Sequence, residues 1–342
     1  MISEKPLPKI LRGISLSREE ACQWLNDVLE GKIPDCETGA VLSALAMKGE
    51  SSSELSGILD SLREHIVRFP LPEEYLPSVI DTCGTGGDGS GSFNVSTTVA
   101  FILAGGSIPV VKHGNRAISS RSGSADVLEA LGIRIDVSPE RSLSHLEQLG
   151  ITFLWAPIYH PALKVLAPVR KALGIRTVIN LVAPLANPAL LKRQILGVSS
   201  ADLVPVLADV LEKEGASACC VVHGDGLDEA TLSGPTHVCR MRGGVRTEEV
   251  FYPGDFGLTA SPKSSVAGGD AARNAAIVRE VLSGKPGPFL DYALANAALG
   301  LWVAERVSDL REGVAFARET IRSKKPMEIL DKWIRRSQET HS

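Results

Sequence analysis

Apolar residues recur at helical spacing through the first fifth of the chain. Ala21, Trp24, Leu25 and Val28 follow Ser17 and Glu20, which stand three apart as in a capping box. Gly31 closes that segment, and Pro34-Asp35 opens a second helix running through 39–47. Ser51 with Glu54 caps a third, carrying Leu55, Ile58, Leu59, Leu62 and Ile66 on one face. The whole of 17–68 therefore reads as helical, and Phe69-Pro70-Leu71-Pro72 reads as a linker. From residue 78 the period changes. Short apolar runs at 78–83, 108–112, 133–135, 152–155, 193–198 and 217–223 predict strands separated by helices, and 237–253 predicts a hairpin or edge structure. Helices at 270–284, 288–306 and 309–323 carry apolar stripes that would pack on the sheet. Strands alternating with helices imply right-handed crossovers and a mainly parallel sheet. The expected fold is thus α/β: a small N-terminal helical domain over 1–72, and a large domain over 76–342 with a central, mainly parallel sheet flanked by helices.

Composition narrows the function. The 342 residues are 44% hydrophobic and 22% charged, which is ordinary for globular chains. A net charge of −4 argues against general nucleic-acid binding, which leaves a basic footprint, but permits a local basic pocket. No run of about 18 apolar residues is present to span a membrane, and the first residues lack the apolar centre of a signal peptide. The six cysteines show no CxxC spacing, and Cys219-Cys220 lie within an apolar run, so reduced, buried thiols in a cytoplasmic protein are expected.

The chemistry concentrates at residues 84–97, GTGGDGSGSFNVST. Five glycines strip side chains from a loop between a short apolar strand and a helix opened by Asn94, Ser96 and Thr97. Strand, glycine loop and helix N-terminus together can bind phosphate, through inward N–H groups and the helix dipole. A tight strand–helix turn is the plainer alternative. Asp88 would repel a bare phosphate, and fits better beside a divalent cation or a cationic amine. A second unit, IPVVKHGNRAISSRSGSADVLEALG over 108–132, delivers Lys112, His113, Asn115 and Arg116 into a loop rich in serine. In open parallel sheets such loops meet at the carboxyl ends of the strands, and two anion-binding loops in one crevice suit a substrate with two separate phosphate groups.

GTGGDG, NVST, KHGN and SSRSGSADVLEALG together resemble the anthranilate phosphoribosyltransferases. The likeness continues through HPALKVLAPVRKALGIRTVIN (160–180), PLANPA (184–189) and HGDGLDEATLSGPT (223–236), and covers about residues 12–335 in order. The resemblance implies transfer of the 5-phosphoribosyl group from PRPP to the amine of anthranilate, with release of pyrophosphate. It implies the fold type shared with nucleoside phosphorylases, in which helices near 162–185 join the helical domain, and a homodimer formed through that domain. It assigns to PRPP Gly84, Thr85, Gly87, Asp88, Ser92, Asn94, Val95, Ser96 and Thr97, and then Lys112, His113, Gly114, Asn115, Arg116, Ala117, Ile118, Ser119, Ser120 and Ser124. Ser96, Asp228 and Glu229 match the family's ligands for Mg2+, with two ions expected. Magnesium takes hard oxygens and usually bridges one or two carboxylates to phosphate; a solvated acidic turn is the alternative for Asp228-Glu229. Arg170 matches the residue that receives the anthranilate carboxylate, a task suited to the planar guanidinium fork. Gly84, Asn115, His113, His160 and Pro184 complete the implied anthranilate site. No general base is implied, because an aniline nitrogen is already nucleophilic and catalysis rests on positioning and electrostatics.

Departures from the family pattern gather at the acceptor side: Ala183 for a usual glycine, Ala186 for threonine, Ile179 for phenylalanine, Leu163 for methionine. Ser92 stands where threonine is frequent and keeps the hydroxyl. A pyrimidine nucleoside phosphorylase would share the architecture but not the Asp-Glu pair. A non-catalytic nucleic-acid-binding relative would show a degraded glycine loop and a basic groove. KHGN, DGLDE and the acidic balance favour the transferase.

Overall fold

The computed structural model describes residues 5–117 and 121–339. Four helices open the chain: α1 (Pro6–Leu11), α2 (Arg18–Leu29), α3 (Asp35–Lys48) and α4 (Ser52–Glu64). Both capping boxes form, with the Ser17 and Ser51 side chains accepting from the Glu20 and Glu54 N–H groups while each glutamate reaches back. The helical run ends at Glu64, so Ile66 lies beyond α4 and is only half-buried, contrary to the expectation that it shares the helix face. No glycine or proline marks that end in the sequence, and His65 simply leaves the helical region as the C-cap.

The remainder alternates strands and helices. In order come β1 (Asp81–Gly84), α5 (Val95–Gly105), β2 (Val110–Gly114), α6 (Ser124–Ala130), α7 (Pro139–Leu149), β3 (Ile151–Trp155) and α8 (Ala156–Tyr159). Then follow α9 (Ala167–Leu173), α10 (Val178–Val182), β4 (Arg193–Gly197), α11 (Leu203–Lys213), β5 (Ala218–Gly224), β6 (Thr236–Arg242) and β7 (Val245–Phe251). The chain closes with α12 (Ala271–Leu282), α13 (Pro288–Val303), α14 (Leu310–Arg322) and α15 (Lys325–Gln338). Among the described residues the main sheet runs β1-β4-β5-β6-β7, parallel through β1, β4 and β5, with β6 and β7 as an antiparallel edge hairpin. β2 and β3 form a parallel pair, which an Ile80–Val110 bridge joins to the base of β1.

The segment 133–135 does not form a strand. Ile133 and Ile135 are buried, but the Ile133 N–H returns to Leu128 and the Arg134 N–H donates to the Ser337 hydroxyl on α15. That final helix escaped the sequence reading, and it supplies the partner that a neighbouring strand would otherwise have supplied.

Two large cores position the site. One packs α5, α12, α13, α14 and α15 against one face of the sheet. The other joins the N-terminal helices to α9, α10 and α11 and to the opposite face, including Cys83, Leu196, Val221 and Cys239. All six cysteines are free thiols, but only Cys83, Cys219, Cys220 and Cys239 are buried; Cys22 is half-buried and Cys36 exposed, contrary to the expectation that all six are buried. Among the described residues no helix is long and apolar enough to cross a membrane.

Trp333 of α15 packs on Phe101 and donates its indole N–H to His145 Nδ1 at 3.3 Å. Burial lowers the His145 pKa to about 4, with Arg141 and Arg336 adding to the effect. The folded protein thus keeps this ring neutral while the unfolded chain takes up a proton near pH 6.5. Its contribution is fully present above pH 6.5 and is lost as pH falls towards 4. The expected slope is at most about 1.4 kcal/mol per pH unit. His145→Gln, which keeps an acceptor for Trp333, should flatten the loss of melting temperature between pH 6.5 and 4.5; an unchanged slope would refute the assignment.

Candidate active site

The site is built where β1, β4 and β5 end. β5 is followed by a turn at Asp225-Gly226, both at positive φ, which sends Asp228 and Glu229 back across the strand ends. Two glycines admit this crossing. A methyl at Gly197 would overlap the Asp228 carbonyl oxygen, and one at Gly84 would overlap its carboxylate. The Asp228 carboxylate accepts from the Gly86 N–H at 2.9 Å, and Glu229 accepts from the Ser96 N–H at 3.1 Å, in the first turn of α5. The acidic pair therefore lies directly against the glycine loop and the positive end of a helix.

The loop itself is a concave backbone. Gly86, Gly87, Gly89 and Gly91 all take positive φ. The N–H groups of Gly87, Asp88 and Gly89 have no acceptor among the described residues. Asp88 turns into the loop: one oxygen accepts from the Ser90 N–H at 3.1 Å, the other from the Ser90 hydroxyl at 2.8 Å and the Asp228 N–H at 3.3 Å. Ser92 Oγ lies 3.2 Å from Ser90 Oγ. Burial first, and then Asp88, pushes Asp228 up to about 7; burial and Asp228 push Glu229 well above the usual carboxylate range. Crowded, desolvated carboxylates of this kind attract a cation. Among the described residues no three of His, Cys, Asp and Glu form a ready-made metal cage. The donor set is one of hard oxygens (Ser96, Asp228, Glu229 and the adjacent Asp88), which fits a magnesium ion that shares its coordination with phosphate.

Asn94 caps the approach to α5, taking a hydrogen bond from Asn274 Nδ2 at 2.9 Å. The Val95 side chain is buried in the core and its N–H bonds Phe93, so only the peptide chain of that residue borders the loop. Thr85 and Thr97 are buried with hydroxyls that have no partner among the described residues. Lys112 is buried in the middle of β2, donating to the Thr82 carbonyl and, at 3.2 Å, to Ser96 Oγ.

The second loop leaves β2 at Gly114, where a methyl would overlap Ser124 Oγ. Asn115 is exposed, and its side chain accepts from the Arg116 N–H at 2.8 Å. Arg116 points away from the glycine loop, pairing with Glu129 at 2.8 Å and stacking on Trp155. The Ala117 N–H is held by Asp126. Ile118, Ser119 and Ser120 lie outside the described residues.

His113 and His160 face each other with ring centroids 5.0 Å apart, both buried and each with an Nε2 that has no partner among the described residues. Burial drives His113 well below its usual range and His160 to about 4, so both are neutral at pH 7. The Pro184 carbonyl accepts from Gln194 Nε2 at 2.8 Å. Ala183 has φ −52° and ψ −40°, a conformation open to any residue, so the methyl there strains no backbone. Arg170, on α9, donates to Asn180 at 3.3 Å, and burial lowers its pKa.

The chain is similar to known proteins along nearly its whole length. Family models described as "Glycosyl transferase family, helical bundle domain" and "Glycosyl transferase family, a/b domain" match residues 7–66 and 76–326. An anthranilate phosphoribosyltransferase of Desulforamulus reducens is 45% identical over 322 residues, 94% of this chain and 92% of the relative. One from Anaeromyxobacter dehalogenans is 48% identical over 317 residues, 93% of each chain. The chain belongs to the anthranilate phosphoribosyltransferase family. The solved Thermus thermophilus member superposes with a TM-score of 0.89 at 36% identity, covering 98% of this chain and 100% of the other. The Saccharomyces cerevisiae member, solved in complex with PRPP and Mg, gives 0.87 at 29% identity, covering 97% and 96%.

Three residues at this site lay outside the sequence reading. Asp81 is buried, accepts from Asn187 Nδ2 at 2.8 Å, and is pushed up to about 6 by burial. It ties β1 to the PLANPA segment, in which Asn187 carried no assigned role. Arg176 sits in the GIRT stretch and reaches the glycine loop at Gly87. The one signal in the sequence was an arginine just after a helix-ending glycine in an apolar stretch.

Gly197 offers a direct check on the crossing. Gly197→Ala should destabilise the fold by about 1–3 kcal/mol or more, because backbone rather than a flexible side chain must move. It should also abolish magnesium-dependent turnover. A variant with unchanged melting temperature and activity would show that the turn does not press on β4.

Proposed function

We propose that this chain transfers the 5-phosphoribosyl group of PRPP to the amine of anthranilate, giving N-(5-phosphoribosyl)anthranilate and pyrophosphate. The observation that carries this reading is the Asp228-Glu229 pair held against a glycine loop and a helix N-terminus. Ser96, Asp228 and Glu229, with Asp88 beside them, would hold Mg2+, and two ions are expected. When bound, the metal supplies positive charge against the departing diphosphate.

The chain's own groups do the rest. Unpartnered loop N–H groups and the Thr85 and Thr97 hydroxyls would receive the diphosphate oxygens, and Lys112 would turn its ammonium from Ser96 towards the same anion. The second loop, from Lys112 to Ser120 with Ser124, would cover the 5-phosphate and ribose. Arg170 would take the anthranilate carboxylate, Asn115 would accept from the amine, and neutral His113 and His160, with Gly84 and Pro184, would wall the ring. The nitrogen lone pair forms the bond to ribose C1 as the C1–O pair leaves with the diphosphate, and the nitrogen proton passes to solvent. No general base is needed. Neutral imidazoles suit a wall for an apolar ring, since a charged pair 5.0 Å apart would repel. The helices over 1–72, joined by those near 162–185, are read as one domain beside the α/β domain of 76–342 and as a homodimer surface, in a cytoplasmic enzyme.

Two experiments test the assignment. Asp228→Asn with Glu229→Gln should lower pyrophosphate release from PRPP by at least about 10²–10³-fold, the loss expected of one transition-state stabiliser, while the melting profile persists. Unchanged turnover at saturating PRPP would remove the acids from the reaction. Arg170→Ala should raise the anthranilate KM far more than the PRPP KM, since uncoupling a desolvated charge pair costs roughly 2–5 kcal/mol. Equal losses for both substrates would mark a folding defect instead.

A further inference from the structure

We propose that Arg176 is a catalytic residue of this reaction that grips the diphosphate of the phosphoribosyl donor and holds it as it departs. The proposal deepens the reading above and rests on it. Arg176 lies in the short link between α9 and α10, outside the helices that carry Arg170 and Asn180. Its side chain crosses to the glycine loop: a Cβ on Gly87 would stand 3.6 Å from Arg176 Cδ and 3.9 Å from Nε and Nη1. Nη1 donates to the Ser199 hydroxyl, just beyond β4. Nε and Nη2 are buried and have no partner among the described residues.

A guanidinium in that state is costly. Among the described residues it has no ion pair, although Asp228, Glu50 and Asp88 lie near enough to act on it electrostatically. Buried donors left without acceptors lose the full desolvation term, so a group that arrives at the site must supply the missing acceptors. Nε and Nη2 form one edge of the planar fork, and that edge matches two oxygens of a phosphate or carboxylate. Position decides between these anions. In the loop that the fork reaches at Gly87, the Gly87, Asp88 and Gly89 N–H groups have no acceptor among the described residues, and Thr85 Oγ1 is buried and unpartnered among them. One carboxylate cannot serve all of these donors; a diphosphate can. Arg170, six residues earlier, is engaged with Asn180 on the acceptor side. Two arginines of one connection thus divide the anions, one facing the carboxylate and one the leaving group. As the C1–O bond breaks, its electron pair accumulates on the diphosphate oxygen, and the contact to a fixed cation strengthens at that moment.

The test uses the full chain and magnesium pyrophosphate as probe. Binding is measured by calorimetry without turnover and by product inhibition, beside the PRPP and anthranilate KM values. Arg176→Gln should weaken pyrophosphate at least 30-fold and lower kcat about 10²-fold, with the anthranilate KM changed less than threefold. Arg176→Lys, which keeps charge but loses the fork, should recover part of the binding. Ser199→Ala should give a smaller loss in the same direction. Unchanged pyrophosphate affinity in Arg176→Gln, or a loss confined to anthranilate, would overturn the proposal. If Arg176→Gln does not fold, wild-type affinity in both of the other variants overturns it. A wild-type protein that releases no pyrophosphate from PRPP with any aromatic amine refutes the function itself, which is a separate outcome.

Discussion

The site depends on one steric condition: the chain after β5 must pass over the ends of β1 and β4 in contact with backbone. Gly84 and Gly197 meet it by having no side chain, and a methyl at either position would occupy the space of Asp228. From that contact follow the bonds from Gly86 to Asp228 and from Ser96 to Glu229. Those bonds hold two carboxylates in the mouth of the glycine loop. Glycine thus serves two ends here, positive φ inside the loop and close approach beneath it.

The electrostatics are those of a site with charges awaiting completion. Three carboxylates, Asp88, Asp228 and Glu229, face one another, and burial raises the two that follow β5. Against them stand Lys112, the N-terminus of α5 and Arg176, none of which makes an ion pair with them. A cation on the acids and a polyanion on the donors satisfy both sets together. This reciprocity explains why a carboxylate can belong in the loop proposed to bind diphosphate, which is puzzling when Asp88 is considered alone.

The residues proposed to receive the acceptor are carried by a different part of the chain. α9 and α10 pack with the N-terminal helices in one core that continues on to the sheet through Cys83, Leu196 and Val221. Arg170 and Arg176 therefore ride on elements shared between the helical segment and the sheet, while the acids and the glycine loop belong to the sheet itself. Any relative motion of the two parts would change the separation between these arginines and the acids. The Ala183 and Ala186 departures fall in this connection, where Ala183 adopts an unstrained helical conformation.

Much of this was legible in the sequence because its signals are local. Capping boxes at Ser17 and Ser51, the alternation of strands and helices, the glycine loop and the edge hairpin each depend on residues within a few positions of one another. Family motifs carried the candidate residues in the same way, since each motif is a contiguous stretch. What the sequence alone did not determine involves partners far apart. The apolar run 133–135 has strand character, but its backbone finds Leu128 and the Ser337 hydroxyl of α15. Ile66 continues the α4 stripe in spacing, yet the helix ends before it. Asp81 became a buried anchor only through Asn187, 106 residues away. Arg176 looks like a surface arginine until the fold lays it on Gly87 and buries two of its donors. Local periodicity and turn chemistry determine elements; desolvation and close approach are set by the packing of distant segments, and only the tertiary structure could decide them.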